Sequence, residues 1–298
     1  MEKTTRPIGL ARALSKRGYC SRSQAVELIR RGQVSLNGTV RHDPETPVRL
    51  KHDRIVVNGQ PVERQKKIYL MMNKPRGAVT TASDEKGRDT VYSVLTQAQP
   101  ATDLPWVAPV GRLDKASEGL LLLSNDSEWG ARIAAPETHL EKTYHVQIAT
   151  LADSAFISTL IRGVRDDSGE VLLAKRALVI RSGQKNCWLE IVLDKGRNRQ
   201  IRRMMAVLGV ETLRLIRVAI GPLQLGDLAK GRYRPLTKGE KYSLDRVMSD
   251  ALRRSSRQAA ECESPARECR ASTQPKSESR QGRHDSKGGP AEKGRRHP

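Results

Sequence analysis

Asp114 stands between two cations, Arg112 and Lys115, just ahead of a run of four leucines, Leu120 to Leu123. An apolar run that short, closed by the turn signal Asn125-Asp126-Ser127, predicts a strand buried on both faces. A carboxylate on a loop at the mouth of such a strand, with opposite charges beside it, is expected to stay ionised and to be aimed. Such a group can serve as a nucleophile or a base. The competing reading is an ordinary surface ion pair. Two more side chains invite chemistry. Tyr144 sits between polar neighbours in a chain with only three Trp, six Tyr and one Phe. Arg202 lies beside Ile201 in a helix predicted over 197–208, whose apolar side carries Ile201, Met204 or Met205, and Leu208. Arg199 and Arg203, i and i+4 on that helix, are expected to face phosphate or solvent.

The order of motifs sharpens this. Gly111-Arg112-Leu113-Asp114, then Ser117-Glu118-Gly119 and the leucine run to Asn125-Asp126, resembles the active-site motif of the RNA pseudouridine synthases. It is most similar to the branch acting on bacterial large- and small-subunit ribosomal RNA. Asn73-Lys74-Pro75-Arg76-Gly77 resembles the family's early KPxG element, and Lys142-Thr143-Tyr144 its K-x-Y strand. Gly196-Arg197-Asn198-Arg199-Gln200-Ile201-Arg202-Arg203-Met204 resembles its basic helix.

The resemblance implies an isomerase that turns a specific uridine into pseudouridine, and it assigns roles. Asp114 is the catalytic carboxylate, acting as nucleophile or through a glycal-type intermediate. Arg202 is its basic partner in a charge-assisted pair, and Tyr144 stacks on the extruded uracil. Arg112 fills the gap left by the flipped nucleotide. Lys74 and Pro75 shape the first loop and border the substrate site, and Arg199 and Arg203 contact RNA. No redox step or group transfer to another molecule occurs, so no cofactor and no metal is expected. Two other classes compete. A non-catalytic RNA-binding protein has no need of Asp114, Tyr144 and Arg202 together. An RNA methyltransferase needs a Gly-rich strand-to-helix loop, which is absent from the sequence.

The elements that must position these residues divide the chain in three. From Ile8 to Arg31 the apolar spacing predicts two short helices, broken at Gly18 and capped again at Ser21 or Ser23. Hairpins follow, with turns at Asn37-Gly38 and Asn58-Gly59. This helix-helix-hairpin unit, 1–64, resembles the αL-type RNA-binding module. Its Arg12, Lys16, Arg17, Arg22, Arg30 and Arg31 are expected to form a phosphate-facing surface.

After a linker at 61–67, strands are predicted at 68–72, 107–110, 142–148, 178–181 and 188–193. Helices are predicted at 90–95, 127–134 and 152–161. Without a regular βαβ period, the expectation for 65–247 is an α+β catalytic domain with a mixed, mainly antiparallel sheet. From about Met248 the periodicity ends and a disordered basic tail, 248–298, is expected.

Composition bounds the partners. Lys and Arg outnumber Asp and Glu by 54 to 33, for a net charge of +21 in 298 residues, and all three segments carry part of the excess. Such a distribution suits a polyanion, here ribosomal RNA or a ribosomal-subunit assembly intermediate. The four cysteines form no CxxC pair and have no His at metal-ligand spacing, against a zinc site or disulfide framework. The apolar runs are too short for a membrane span and the N-terminus lacks a signal-peptide core. A monomeric cytoplasmic protein is expected.

Overall fold

The computed structural model describes residues 6–81, 87–98 and 104–262. In the N-terminal part, β1 (Ile8–Gly9) leads into α1 (Leu10–Lys16) and α2 (Arg22–Arg30). Ser21 caps α2 in a reciprocal box with Gln24, its hydroxyl accepting the Gln24 N–H, which satisfies two otherwise orphaned donors. Then come β2 (Val34–Leu36), β3 (Thr39–Val40), β4 (Pro47–Val48), β5 (Ile55–Val57) and β6 (Gln60–Pro61). β2, β3, β5 and β6 form one antiparallel sheet and β4 pairs with β1. Both Asn-Gly turns place Asn and Gly at positive φ, the geometry that joins twisted strands in two residues. Leu10, Leu14, Ile29, Val34 and Ile55 form a core separate from those of the rest of the chain.

The larger part continues with β7 (Tyr69–Lys74), α3 (Val91–Ala98), β8 (Ala108–Val110), β9 (Glu118–Ser124), α4 (Ser127–Ala134), β10 (Lys142–Ile148) and α5 (Ser154–Arg162). After them come the small hairpin β11 (Val164–Arg165) and β12 (Val171–Leu172), then β13 (Arg176–Ser182), β14 (Cys187–Leu193) and α6 (Gln200–Val207). β15 (Thr212–Ile220), β16 (Leu223–Gln224), β17 (Tyr233–Pro235) and α7 (Lys238–Cys262) complete the described chain. The main sheet has the order β13-β14-β10-β15-β9-β7-β17, with β8 on β9 and β16 on β15. Every pairing is antiparallel except β15 with β9. This is the mixed, mainly antiparallel sheet of an α+β protein.

β9 lies inside the sheet between β15 and β7, and all seven of its residues are buried. Leu121 and Leu123 enter the core beneath α6 and α5, whereas Leu120 and Leu122 enter the core beneath α4 and α7. Each such leucine contributes about 1.5–3 kcal/mol, so the strand that carries the GRLD loop is anchored from both faces.

One boundary is corrected. α7 carries the chain past residue 247, with Leu244 and Met248 fully buried. Trp129 Nε1 donates to Asp245 at 2.9 Å. Residues 248–262 are therefore helical, and the expected tail does not begin at 248. Its remainder, 263–298, lies outside the described residues.

Candidate active site

The loop between β8 and β9 is held by its own backbone carbonyls. Lys74, at the end of β7, is fully buried. Its ammonium donates to Ser117 O at 2.9 Å, Asp114 O at 3.1 Å and Pro75 O at 3.2 Å. Gly77 N–H donates to Lys115 O at 2.8 Å. Thr80 Oγ1 donates to Leu113 O at 2.7 Å and accepts from Leu113 N. Arg202, from α6, donates to Ala116 O at 3.1 Å. Leu113 is buried in the core below. A loop fixed at this many points can hold one side chain in a defined direction.

That side chain is Asp114. It is partly exposed and lines a cleft of about 280 Å³ together with Tyr144, Lys142, Arg217, Arg112 and Arg199. Neither Arg112 nor Lys115 pairs with it; both are exposed. Tyr144 comes from β10, buried to 9 % exposure between Ile191 of β14 and Arg217 of β15. Lys142, two residues earlier on the same strand, is the lysine of the K-x-Y motif, and the sequence assigns it no role although it lines the cleft. Burial pulls its ammonium below the usual lysine range, the nearby Arg217 adds to this, and Asp194 opposes it.

Arg202 departs from expectation. Among the described residues no ion pair joins it to Asp114. Its guanidinium is spent on Ala116 O and, at 3.4 Å, Thr212 O, and its Nε is buried without a partner. Burial lowers its pKa, as do the charges of Arg199 and Arg76, while Asp114 acts in the opposite sense. Arg202 therefore reaches Asp114 through the field and through the loop backbone, not through a hydrogen bond. Its donors are taken by backbone carbonyls, one on the loop itself and one at the start of β15.

Three other residues expected at the substrate, Lys74, Arg203 and Arg17, are engaged by partners within the protein. Lys74 does not line the cleft; it is the clamp under the loop, and burial pushes its pKa down to about 8, against the pull of Asp114 and Glu118. Arg203 is bound by Asp166 and by Glu170, the latter at 2.5 Å, in the β11–β12 hairpin. Arg17 donates to Val62 O and Asp53 O at 2.7 Å and to Leu50 O at 3.1 Å, closing the N-terminal module. Arg12, Arg22, Arg30 and Arg31 are exposed. Arg199 is also exposed, in the left-handed region at φ 48° just before α6.

Sequence reasoning also misses Glu118 at the start of β9. It is 2 % exposed and is held by Arg214, through two bonds of 3.1 Å, and by Lys230 at 2.6 Å. Burial would raise its pKa, but these two cations hold it below the usual carboxylate value.

A family model described as RNA pseudouridylate synthase matches residues 68–207, and one described as S4 domain matches residues 8–55. The ribosomal large subunit pseudouridine synthase B of Bacillus subtilis (strain 168) is 34% identical over 242 residues, covering 81% of this chain and 96% of that protein. An uncharacterized RNA pseudouridine synthase of Aquifex aeolicus (strain VF5) is 35% identical over 237 residues, covering 78% of this chain and 92% of that protein. Among solved structures, a pseudouridylate synthase is similar with a TM-score of 0.53 and 29% identity. The match covers 80% of this chain and 99% of that one.

Proposed function

Since the chain belongs to the RNA pseudouridylate synthase family and is an isomerase, we propose that it converts one specific uridine of ribosomal RNA, with Asp114 as the catalytic carboxylate. In this reaction the N1–C1′ bond breaks, the uracil turns over and a C5–C1′ bond forms. One hydrogen leaves C5 and one arrives at N1, so nothing is oxidised or reduced. The observation that carries the assignment is the Asp114 side chain itself. It has no ion pair or hydrogen bond to another described residue, on a loop whose backbone is clamped, in a cleft shared with Tyr144. A carboxylate so placed is free to act on C1′ or the base, or to take a proton.

The nucleotide reaches the cleft by leaving its stack, with Tyr144 against its ring, Arg112 at the vacated place and Arg199 on phosphate. Arg202 serves by holding the loop and by its charge. Residues 1–64 are the RNA-binding module and the catalytic unit follows from 65, working as a monomer on ribosomal RNA or an assembly intermediate. Large-subunit RNA is the favoured substrate. The similarity to the Bacillus enzyme supports this, as do the segments 213–218 and Gly221-Pro222-Leu223. No helix among the described residues is long and apolar enough to cross a membrane, and the cytoplasm is the proposed location.

The test is tritium release from 5-labelled uridine in ribosomal RNA, without added cofactor. Asp114→Asn should bind RNA normally and slow the single-turnover rate by at least about 100-fold. A rate above about a tenth of wild type removes Asp114 from the role. Tyr144→Leu should lose more than Tyr144→Phe, because stacking is worth roughly 1–3 kcal/mol per base.

A further inference from the structure

Arg217 is the least satisfied cation in the cleft. It sits on β15 where that strand meets β9 on one side and β10 on the other, opposite Gly119 and Tyr144 respectively. It is 6 % exposed. Its Nε donates to Leu120 O at 2.8 Å, which fixes the plane of the guanidinium. Its Nη2 is buried with no hydrogen-bond partner, and no carboxylate pairs with it among the described residues. Buried donors in native proteins are nearly always satisfied, and an unpaired one on a charged group is the most costly kind. Neighbouring charge makes matters worse, since Arg217 and Lys142 repel across the same strand pair. Among the described residues only Leu120 O accepts from this group, and it lines the same cleft as Asp114 and Tyr144.

Depth says what the missing acceptor is. The arginines at the rim, Arg112 and Arg199, are exposed, whereas Arg217 and Tyr144 are both buried. Phosphates belong at the rim, and only the base reaches the inner wall. The base there is uracil, and its acceptors are its two carbonyl oxygens. In uridine the C2 carbonyl adjoins the glycosidic nitrogen and lies toward the ribose. The C4 carbonyl lies farthest from it.

We propose that Arg217 reads the uracil: its guanidinium donates to the C4 carbonyl of the flipped-out uridine. This rests on the uridine isomerisation proposed above and deepens it. Cytosine carries an amino group at C4, so it would set a donor against a donor and leave the guanidinium unpaired. Such a site rejects the wrong group more strongly than an apolar wall can. The same seat also serves the product. Turning the ring over to join C5 to C1′ exchanges the places of the two carbonyls, so the C2 carbonyl of pseudouridine occupies the position that C4 left. One donor thus holds the ring before and after rotation.

The experiment compares ribosomal RNA transcripts carrying uridine or 4-thiouridine at the modified position, with wild type, Arg217→Lys and Arg217→Met. Single-turnover conversion is followed by chromatography of the nucleosides. Thiocarbonyl sulfur is a poor acceptor, so wild type should prefer uridine by roughly 10- to 100-fold, the size of one charge-assisted hydrogen bond. Arg217→Met should erase most of that preference by slowing the uridine reaction, and Arg217→Lys should restore part of it. Equal handling of the two transcripts by wild type overturns the proposal without reference to any variant. So does an Arg217→Met enzyme, folded by its melting temperature, that keeps the wild-type preference. A wild type that converts no uridine in ribosomal RNA overturns the proposed function, and this inference falls with it.

Discussion

At the scale of single residues, Lys74 links the site to pH. A charged lysine with no exposure persists because three carbonyls accept its three N–H groups. Burial brings its pKa from 10.5 down to about 8. Between those values the unfolded chain holds the proton that the folded chain has released, so this group's contribution to stability rises with pH across the window. The loop responds in the opposite sense. A neutral amine has two N–H groups for three acceptors, and one carbonyl of the loop is left facing a lone pair. The rate of isomerisation should therefore fall with an apparent pKa near 8, with no matching loss of melting temperature. A rate that stays level to about pH 9.5, in single-turnover assays, would detach Lys74 from the loop's alignment. Lys74→Met should reduce both rate and stability, since each stranded acceptor costs about 1–3 kcal/mol.

At the scale of elements, the seam between β9 and β15 turns on one glycine. Gly119 has φ +100°, and a Cβ there would lie 2.3 Å from Arg217 O. Gly111, at the other end of the loop, has φ +75° and open space around it. Both alanine variants carry backbone strain of about 1–3 kcal/mol, and only Gly119→Ala also wedges the strands apart. Urea unfolding should show Gly119→Ala well below Gly111→Ala; equal losses would mean the seam has slack.

The same seam marks where sequence reasoning stops. The leucine run of β9, the Asn-Gly hairpins and the apolar side of α6 follow a simple period, and the structure has them there. β15 does not. Its buried positions include Arg217, so the alternation Leu213-Arg214-Leu215-Ile216-Arg217 points charge where a core residue belongs. α7 escapes notice because Leu244 and Met248 are the only buried hydrophobics of its described side chains, too thin a stripe to stand out from a polar segment. Lys74 and Arg17 defeat local reading for a different reason. Their partners are carbonyls 33 to 45 residues away for Arg17, and 40 and 43 residues away for Lys74 beyond its neighbour Pro75.

At the scale of the whole molecule, charge and assembly order matter most. The N-terminal module meets the larger part through Lys16–Glu128 at 2.7 Å and Gln65 N–H to Arg17 O at 3.1 Å. Removing residues 1–64 should weaken RNA binding and lower the slope of log K against log salt by roughly 0.7–0.9 for each phosphate that the module neutralises. Arg30→Ala or Arg31→Ala should change that slope, because both side chains are exposed on α2 or at its end. Arg17→Ala should instead lower the module's melting temperature and leave the slope alone; the reverse pattern would make Arg17 an RNA-binding residue after all. The parallel seam has a bearing on synthesis as well. Arg217 bonds Leu120 across 97 residues of chain, and domains emerge from the ribosome N-terminal part first. A nascent chain thus presents its RNA-binding module, then Asp114, then Tyr144, and gains the inner wall of its cleft only when β15 is out. Until that strand docks, the cleft proposed as the active site lacks its inner wall, and the growing polypeptide should not yet convert RNA.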